Sequence, residues 1–220
     1  MIKLKNYDKK NQKISFTTDM PINLANAVRR SVLEIPIMAI DDIEIIKNDS
    51  ALYDEILAHR IGLIPIKSSS TNETKFKLVE KGPKIVVSGD FKPNTDAEDK
   101  LPIILLDKDQ EIEIIGNAKL GKGIEHLKYS PGLVYYKHNL DNDILDYIHI
   151  DEEGECNYDE DEMRNKKLSE EEIKKIKSTK NISELDFFIE SWGQIEVKDI
   201  FLKAIDALND NLDELEKLDK

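Results

Sequence analysis

Gly116 to Gly123 reads GNAKLGKG, a spacing that could cradle phosphate. In the pattern G-x-x-x-x-G-K, backbone N–H groups surround a nucleotide's phosphates, the lysine reaches the outer ones, and a following Ser or Thr hydroxyl holds magnesium. Gly123 stands where that hydroxyl belongs. The loop also needs a helix behind it to supply part of the anion site, and Ile124 to Ser130 runs straight into Pro131-Gly132. A glycine-flexed loop beside a strand is the better reading, and the nucleotide site is rejected. The other chemistry-bearing residues are as poorly arranged. None of the four histidines lies in an H-x-x-x-H or H-x-x-E-H pair, and no serine sits in a G-x-S-x-G elbow. His59 ends a helix, where capping or packing explains it. The acidic runs Asp151 to Glu153 and Asp159 to Glu162 lack the spaced ligands and turn glycine of a calcium loop. Cys156 is the single cysteine, so no intrachain disulfide and no thiolate cluster can form from it.

The bulk properties narrow the class further. With 220 residues the chain can hold one domain or two modest ones, each with a core. Charged residues make up 35% and hydrophobic ones 40%, so solvated segments or a core completed by a partner are expected. A net charge of −13 opposes binding to nucleic acid or to an anionic membrane except through a local basic patch. No apolar run approaches the roughly 20 residues of a membrane helix, and the charged, alternating N-terminus has no signal-peptide core. A soluble, cytoplasmic protein is expected.

The elements follow from periodicity. Ile2 and Leu4, then Ile14 and Phe16, alternate with polar residues and predict a β-hairpin. A helix starts near Asn23 with Leu24, Ala27, Val28 and Val32 on its apolar stripe, and Ile35-Pro36 ends it. Ile37 to Ile46 reads as a strand. Lys47 to Ser50 is a joint whose Asp49 or Ser50 caps a second helix, Ala51 to Arg60, stopped by Gly62. Short strands are expected at Phe76–Val79, Lys84–Val87, Leu101–Leu106, Glu111–Ile115 and Leu133–Lys137. The acidic stretch from Asp141 to Glu162 reads as solvated and mobile. Ser169 and Glu172 form a capping box for a surface helix. Leu185 to Ile189 is a strand, and Trp192 after it a packing residue. The last helix, about Lys198 to Leu218, repeats Phe201, Ile205, Leu208, Leu212 and Leu215 in four- and three-residue steps, the pattern of a helix–helix seam. Ile200, Ala204 and Ala207 widen that stripe, so burial on two sides is expected.

One family resemblance gathers these pieces. N-A-x-R-R (Asn26 to Arg30), I-P-x-x-A-I-D-D (Ile35 to Asp42) and D-E-x-L-A-H-R-x-G-L-I-P (Asp54 to Pro65) resemble the family of D-type subunits of archaeal DNA-directed RNA polymerase. That family is akin to the third-largest eukaryotic subunit and, more distantly, to the bacterial alpha N-terminal domain. A-K-L-G-x-G-x-E-H-x-K from Ala118, and F-x-x-E-S-W-G from Phe187 to Gly193, resemble it too. The resemblance implies an α+β fold. A discontinuous dimerisation domain (1–46 and 182–220, an antiparallel sheet with two helices) would carry an inserted β-rich domain (47–181) with the acidic segment at 141–168.

The implied function is structural. The chain would be a non-catalytic subunit of the nucleotidyltransferase complex, pairing with a small L-type subunit through Phe201, Ile205, Leu208, Leu212 and Leu215. The pair would form the platform for the two large catalytic subunits, with small zinc-binding subunits joining it. By the same resemblance Arg29, Arg30, Asp54, Glu55, His59 and Arg60 face the large subunits. Adjacent Arg29 and Arg30 lie about 100° apart on a helix, so one packs inward while the other points out. Some relatives carry an iron–sulfur domain near Cys156. With one cysteine no cluster, no other cofactor and no catalytic or metal-binding set is expected, nor any sequence-specific DNA contact. Two alternatives stand beside this reading: an alpha-like homodimeric assembly subunit, and, weaker, a nucleotide-binding protein using residues 116–123.

Overall fold

The computed structural model describes residues 2–67, 74–140, 147–150, 156–158, 163, 165, 168–178 and 184–218. The N-terminal residues alternate apolar and polar, and they form the hairpin β1 (Lys3–Asp8) and β2 (Lys13–Thr18). β2 pairs antiparallel with β11 (Leu185–Ser191), and β11 in turn with β8 (Gly132–His138), giving the sheet order β1-β2-β11-β8. Alternation sends Phe16, Phe187, Ile189 and Val134 to one face, where they are buried. Helices α1 (Ile22–Ser31) and α4 (Val197–Leu218) cover that face and pack on each other. The rings of Phe16 and Phe187 stack with centroids 5.4 Å apart, and Phe201 of α4 meets Phe16 edge-on at 5.1 Å.

The second unit is a β-rich layer. β3 (Ile37–Asn48), β7 (Glu111–Gly121) and β4 (Thr74–Lys81) form a sheet in the order β3-β7-β4. β5 (Lys84–Val87) and β6 (Pro102–Leu106) pair separately, and α2 (Asp54–Gly62) packs on β3 and β6. β3 joins the two units through its pleat. Ile37 and Ala39 belong to the first core, whereas Met38 and Ile40 belong to the second. A third, small core of Ile148, Met163 and Ile176 lies under β9 (Ile148–Ile150), β10 (Cys156–Tyr158) and α3 (Glu170–Ser178).

Several local expectations need correction. α1 begins at Ile22 behind Pro21 and buries Ala25, Val28 and Ser31, while Leu24 points outward. α2 begins at Asp54, because Asn48 ties the preceding turn by donating to the Leu52 carbonyl and to Asp54. The division at residue 47 shifts: β3 already pairs with β7 from Ile37, and residues 132–138 belong to the first sheet through β11. Within the stretch expected to be mobile, residues 148–150 and 156–158 pair as strands; residues 141–146, 151–155 and 159–162 lie outside the described ones. Trp192 is half-exposed.

The glycine run also turns out differently, for a packing reason. Gly116 to Gly121 continues β7 instead of looping. A Cβ on Gly116 would stand 2.9 Å from the Ile40 side chain, and one on Gly121 would stand 2.5 Å from the Tyr129 ring. The glycines thus let side chains lie flat on the strand, a clearance and not a phosphate cradle. Gly121→Ala is expected to push Tyr129 off the strand and cost about 1–3 kcal/mol, read as a lower urea midpoint with an unchanged slope.

Candidate interaction surfaces

The first surface lies where α4 leaves its own core. Val197, Ile200 and Ala204 face inward and are buried, and Phe201, Ile205 and Leu208 are half-buried against the same core. Leu202, Leu212 and Leu215 are 60%, 54% and 61% exposed. Residues 209–218 are exposed throughout, so the final turns of the helix project from the fold. Beside them an almost purely apolar groove of about 280 Å³ runs between α4 and the hairpin, lined by Ile2, Leu4, Ile14, Phe16, Phe201 and Leu202 among others. It exists because α1 and α4 cover β8, β11 and β2 but leave the inner face of β1 open, with Leu4 64% exposed. The seam from Ile205 to Leu215 and this groove form one apolar face, wider than scattered surface leucines account for. Of the five seam residues read from the sequence, Phe201 belongs chiefly to its own core. Ile2, Leu4 and Leu202, which the sequence did not single out for pairing, line the same groove.

The second surface is a cleft of about 310 Å³ between β3, α2 and the turn before β8, lined by Asp41, Asp42, His59, Leu63, His126 and Lys128 among others. Its geometry comes from a β-bulge. Ile40 pairs with Ala118 and Asp42 with Asn117, so Asp41 is an extra residue in the strand, and the bulge re-aims the two carboxylates. Asp41 accepts from Lys128 Nζ at 2.5 Å and from the Tyr129 hydroxyl at 2.8 Å, and it also pairs with Lys119. The bonds from Lys119 and Lys128 hold its carboxyl far below the usual carboxylate range. Burial, then the bond to Asp41, pushes the Tyr129 hydroxyl well above its ordinary value. Asp41 therefore clasps β3 to β7 and to the turn that carries Lys128. Asp42, exposed at the cleft, accepts no hydrogen bond among the described residues.

The six residues expected at the large subunits divide between two elements. Arg29 donates to Asn26 from Nε at 3.1 Å and from Nη2 at 2.9 Å and is half-buried, while Arg30 is exposed, both on α1. Asp54, Glu55, His59 and Arg60 are on α2, over the second core. Asp54 accepts from Asn48 Nδ2 at 2.7 Å, and Arg60 Nη2 donates to the Pro102 carbonyl at 3.0 Å. His59 alone of the six lines the cleft. Ile56 on the same helix and Tyr53 and Leu63 flanking it, which composition gave no reason to single out, are exposed. Among the described residues no group of three or more His, Cys, Asp or Glu is placed to hold a metal. A single cysteine does not fit a cluster that thiolates must hold. Among the described residues no helix is long and apolar enough to cross a membrane.

Comparison with known proteins assigns these surfaces a context. The family described as the RNA polymerase Rpb3/Rpb11 dimerisation domain matches residues 16–212. DNA-directed RNA polymerase subunit Rpo3 of Methanocaldococcus jannaschii is 32% identical over 94% of this chain and 90% of its own length. The Rpo3 subunit of Pyrococcus horikoshii is 38% identical over 63% of this chain, and the match spans 60% of that relative's length. The Rpo3 subunit of Halobacterium salinarum is 28% identical over 88% of this chain and 87% of its own length.

The Asp41 clasp yields a prediction about acid stability. The folded-state pKa of Asp41 is depressed, so its contribution is complete above the unfolded value of about 3.9 and is lost as pH falls through the folded value. Asp41→Asn should lower stability by about 2 kcal/mol at pH 7 and make it less pH-dependent in acid. Urea unfolding at pH 7 and pH 3 checks this: equal losses at both would contradict the ionic role.

Proposed function

Because the chain belongs to the RNA polymerase Rpb3/Rpb11 dimerisation-domain family, we propose that it is the D-type assembly subunit of an archaeal DNA-directed RNA polymerase. It performs no chemistry in this reading. It pairs with a small L-type subunit, and the pair forms the platform on which the two large catalytic subunits assemble for DNA-templated transcription in the cytoplasm. Small zinc-binding subunits join the same platform. No iron–sulfur cluster takes part.

The observation that carries the reading is the open apolar face of α4 and β1. A folded chain with Ile2, Leu4, Leu202, Leu212 and Leu215 all about half-exposed or more leaves an apolar groove of about 280 Å³ beside its own sheet and bare leucines on the turns beyond it. Filling that groove with a partner's apolar helix removes the exposed area from water and completes the first core. The second surface, at α2 and the Asp41 bulge, supports the contact to the large subunits, with Arg29 and Arg30 on α1 as a further contact to them.

The seam residues separate folding from pairing. Leu208 is half-buried in the chain's own core, so charging it would disturb the fold as well. Leu212 and Leu215 lie on the projecting turns, so Leu212→Asp with Leu215→Asp should leave the melting temperature of the isolated chain within about 1 °C, as is usual for surface substitutions. Pairing should weaken by at least about 2 kcal/mol through burial of unpaired charge. Co-expression with the small subunit and light scattering reads the outcome: wild type as a one-to-one pair, the variant as a monomer. A stable wild-type homodimer that ignores the small subunit would favour the alpha-like arrangement instead.

A further inference from the structure

The cleft under the Asp41 bulge has more definition than a general docking face. Asp41 and Asp42 are neighbours in sequence but differ in state. Asp41 is satisfied three times over, by Lys119, Lys128 and Tyr129. Asp42 is exposed on the wall of a cavity of about 310 Å³ and accepts no hydrogen bond among the described residues. Around it lie two further carboxylates, Asp41 and Glu125, and the ammonium groups of Lys119 and Lys128, of which Lys119 is drawn to Asp42 as well as to Asp41. His126, which also lines the cleft, accepts from the Lys128 backbone N–H through Nδ1 at 3.1 Å.

The rim of the cleft is apolar and continues along α2. Ile56 and Arg60 are one four-residue step apart on α2, and Tyr53 and Leu63 flank the helix at its two ends. Tyr53 is 81% exposed, Ile56 50% and Leu63 47%, while Arg60 is held on the Pro102 carbonyl. Leu63 belongs to both features, since it flanks the helix and lines the cleft. Exposed apolar side chains at both ends and in the middle of α2 thus lead to a well whose wall carries a carboxylate that accepts no hydrogen bond among the described residues. Small anions are repelled from such a well, and a purely apolar segment would bury Asp42 unpaired.

We propose that this cleft seats an arginine or lysine side chain of a partner subunit on Asp42, with apolar residues beside that base lying against the exposed side chains of Ile56, Leu63 and Tyr53. The inference rests on the assembly role proposed above and identifies, within it, the α2 side of the chain as the place where a large subunit inserts a basic residue. Asp41 then acts as a positioning residue: by holding Lys128 to itself it keeps an internal cation from occupying Asp42.

The test uses the full chain co-expressed with the other polymerase subunits. Asp42→Asn should weaken capture of the large subunits by about tenfold or more, because the partner's base loses its counter-charge on burial, while the one-to-one pair with the small subunit and the melting temperature of the chain stay unchanged. A photoreactive phenylalanine analogue at position 63 should cross-link to a large-subunit peptide that contains Arg or Lys, identified by mass spectrometry. Unaltered capture by Asp42→Asn, or a cross-linked peptide without a basic residue, overturns the inference. If the wild-type chain captures no polymerase subunit at all, the assembly role itself fails, which is a separate outcome from either.

Discussion

The pairing of β2 with β11 is the constraint on which the rest depends. It joins residues 13–18 to residues 185–190, so the chain between them leaves this sheet and, apart from the return of β8 to it, forms a closed excursion. Phe16 and Phe187 stack across that pairing and Phe201 caps the pair from α4, which binds the two ends of the chain into one core. Asp186, buried on the opposite face, accepts from Thr17 at 2.9 Å and from Lys5 at 2.7 Å and ties all three strands. With the ends fixed, β3 can leave the first core at residues 37–40 while feeding side chains into both. The β-rich layer is thereby held at a set position on the dimerisation domain. A one-residue slip of β2 against β11 would send Phe16 to solvent and bring Ser15 and Thr17 inward, abolishing the floor on which α4 rests.

From this arrangement two kinds of surface arise by different physics. The face at α4 and β1 is left open because the two helices lie over β8, β11 and β2 and leave β1 uncovered, so its content is apolar area. The cleft at α2 is built by one inserted residue in β3, so its content is aimed charge. Non-directional apolar contact suits a lasting pair, while a placed carboxylate suits selection of one partner residue over others. The proposed role, dimerising first and then recruiting larger chains, would use both.

Much of this could be read before any coordinates. The hairpin, α1, β3, α2 and the seam helix follow from alternation, the helical period and proline or glycine stops, and the a/d spacing of Leu208, Leu212 and Leu215 pointed to a partner. Other features could not be read, for identifiable reasons. The end of β7 was hidden because Gly116 and Gly121 look like loop residues until Ile40 and Tyr129 are seen lying on them. β8 was expected in the inserted unit, since pairing partners distant in sequence leave no local mark. The difference between Asp41 and Asp42 depends on a bulge, which hydrophobic patterning does not encode. Leu4 looked like one side of a hairpin, and only the arrangement of α1 and α4 shows that nothing among the described residues covers it.

The central claim, that a partner helix closes the open face of α4 and β1, is tested most directly by amide hydrogen exchange on the chain alone and with its small subunit. The account predicts fast exchange in residues 209–218 of the free chain and strong slowing there and in β1 on pairing, with α2 unchanged until the large subunits are added. Unchanged exchange in residues 209–218 and β1 on formation of a one-to-one complex would contradict it.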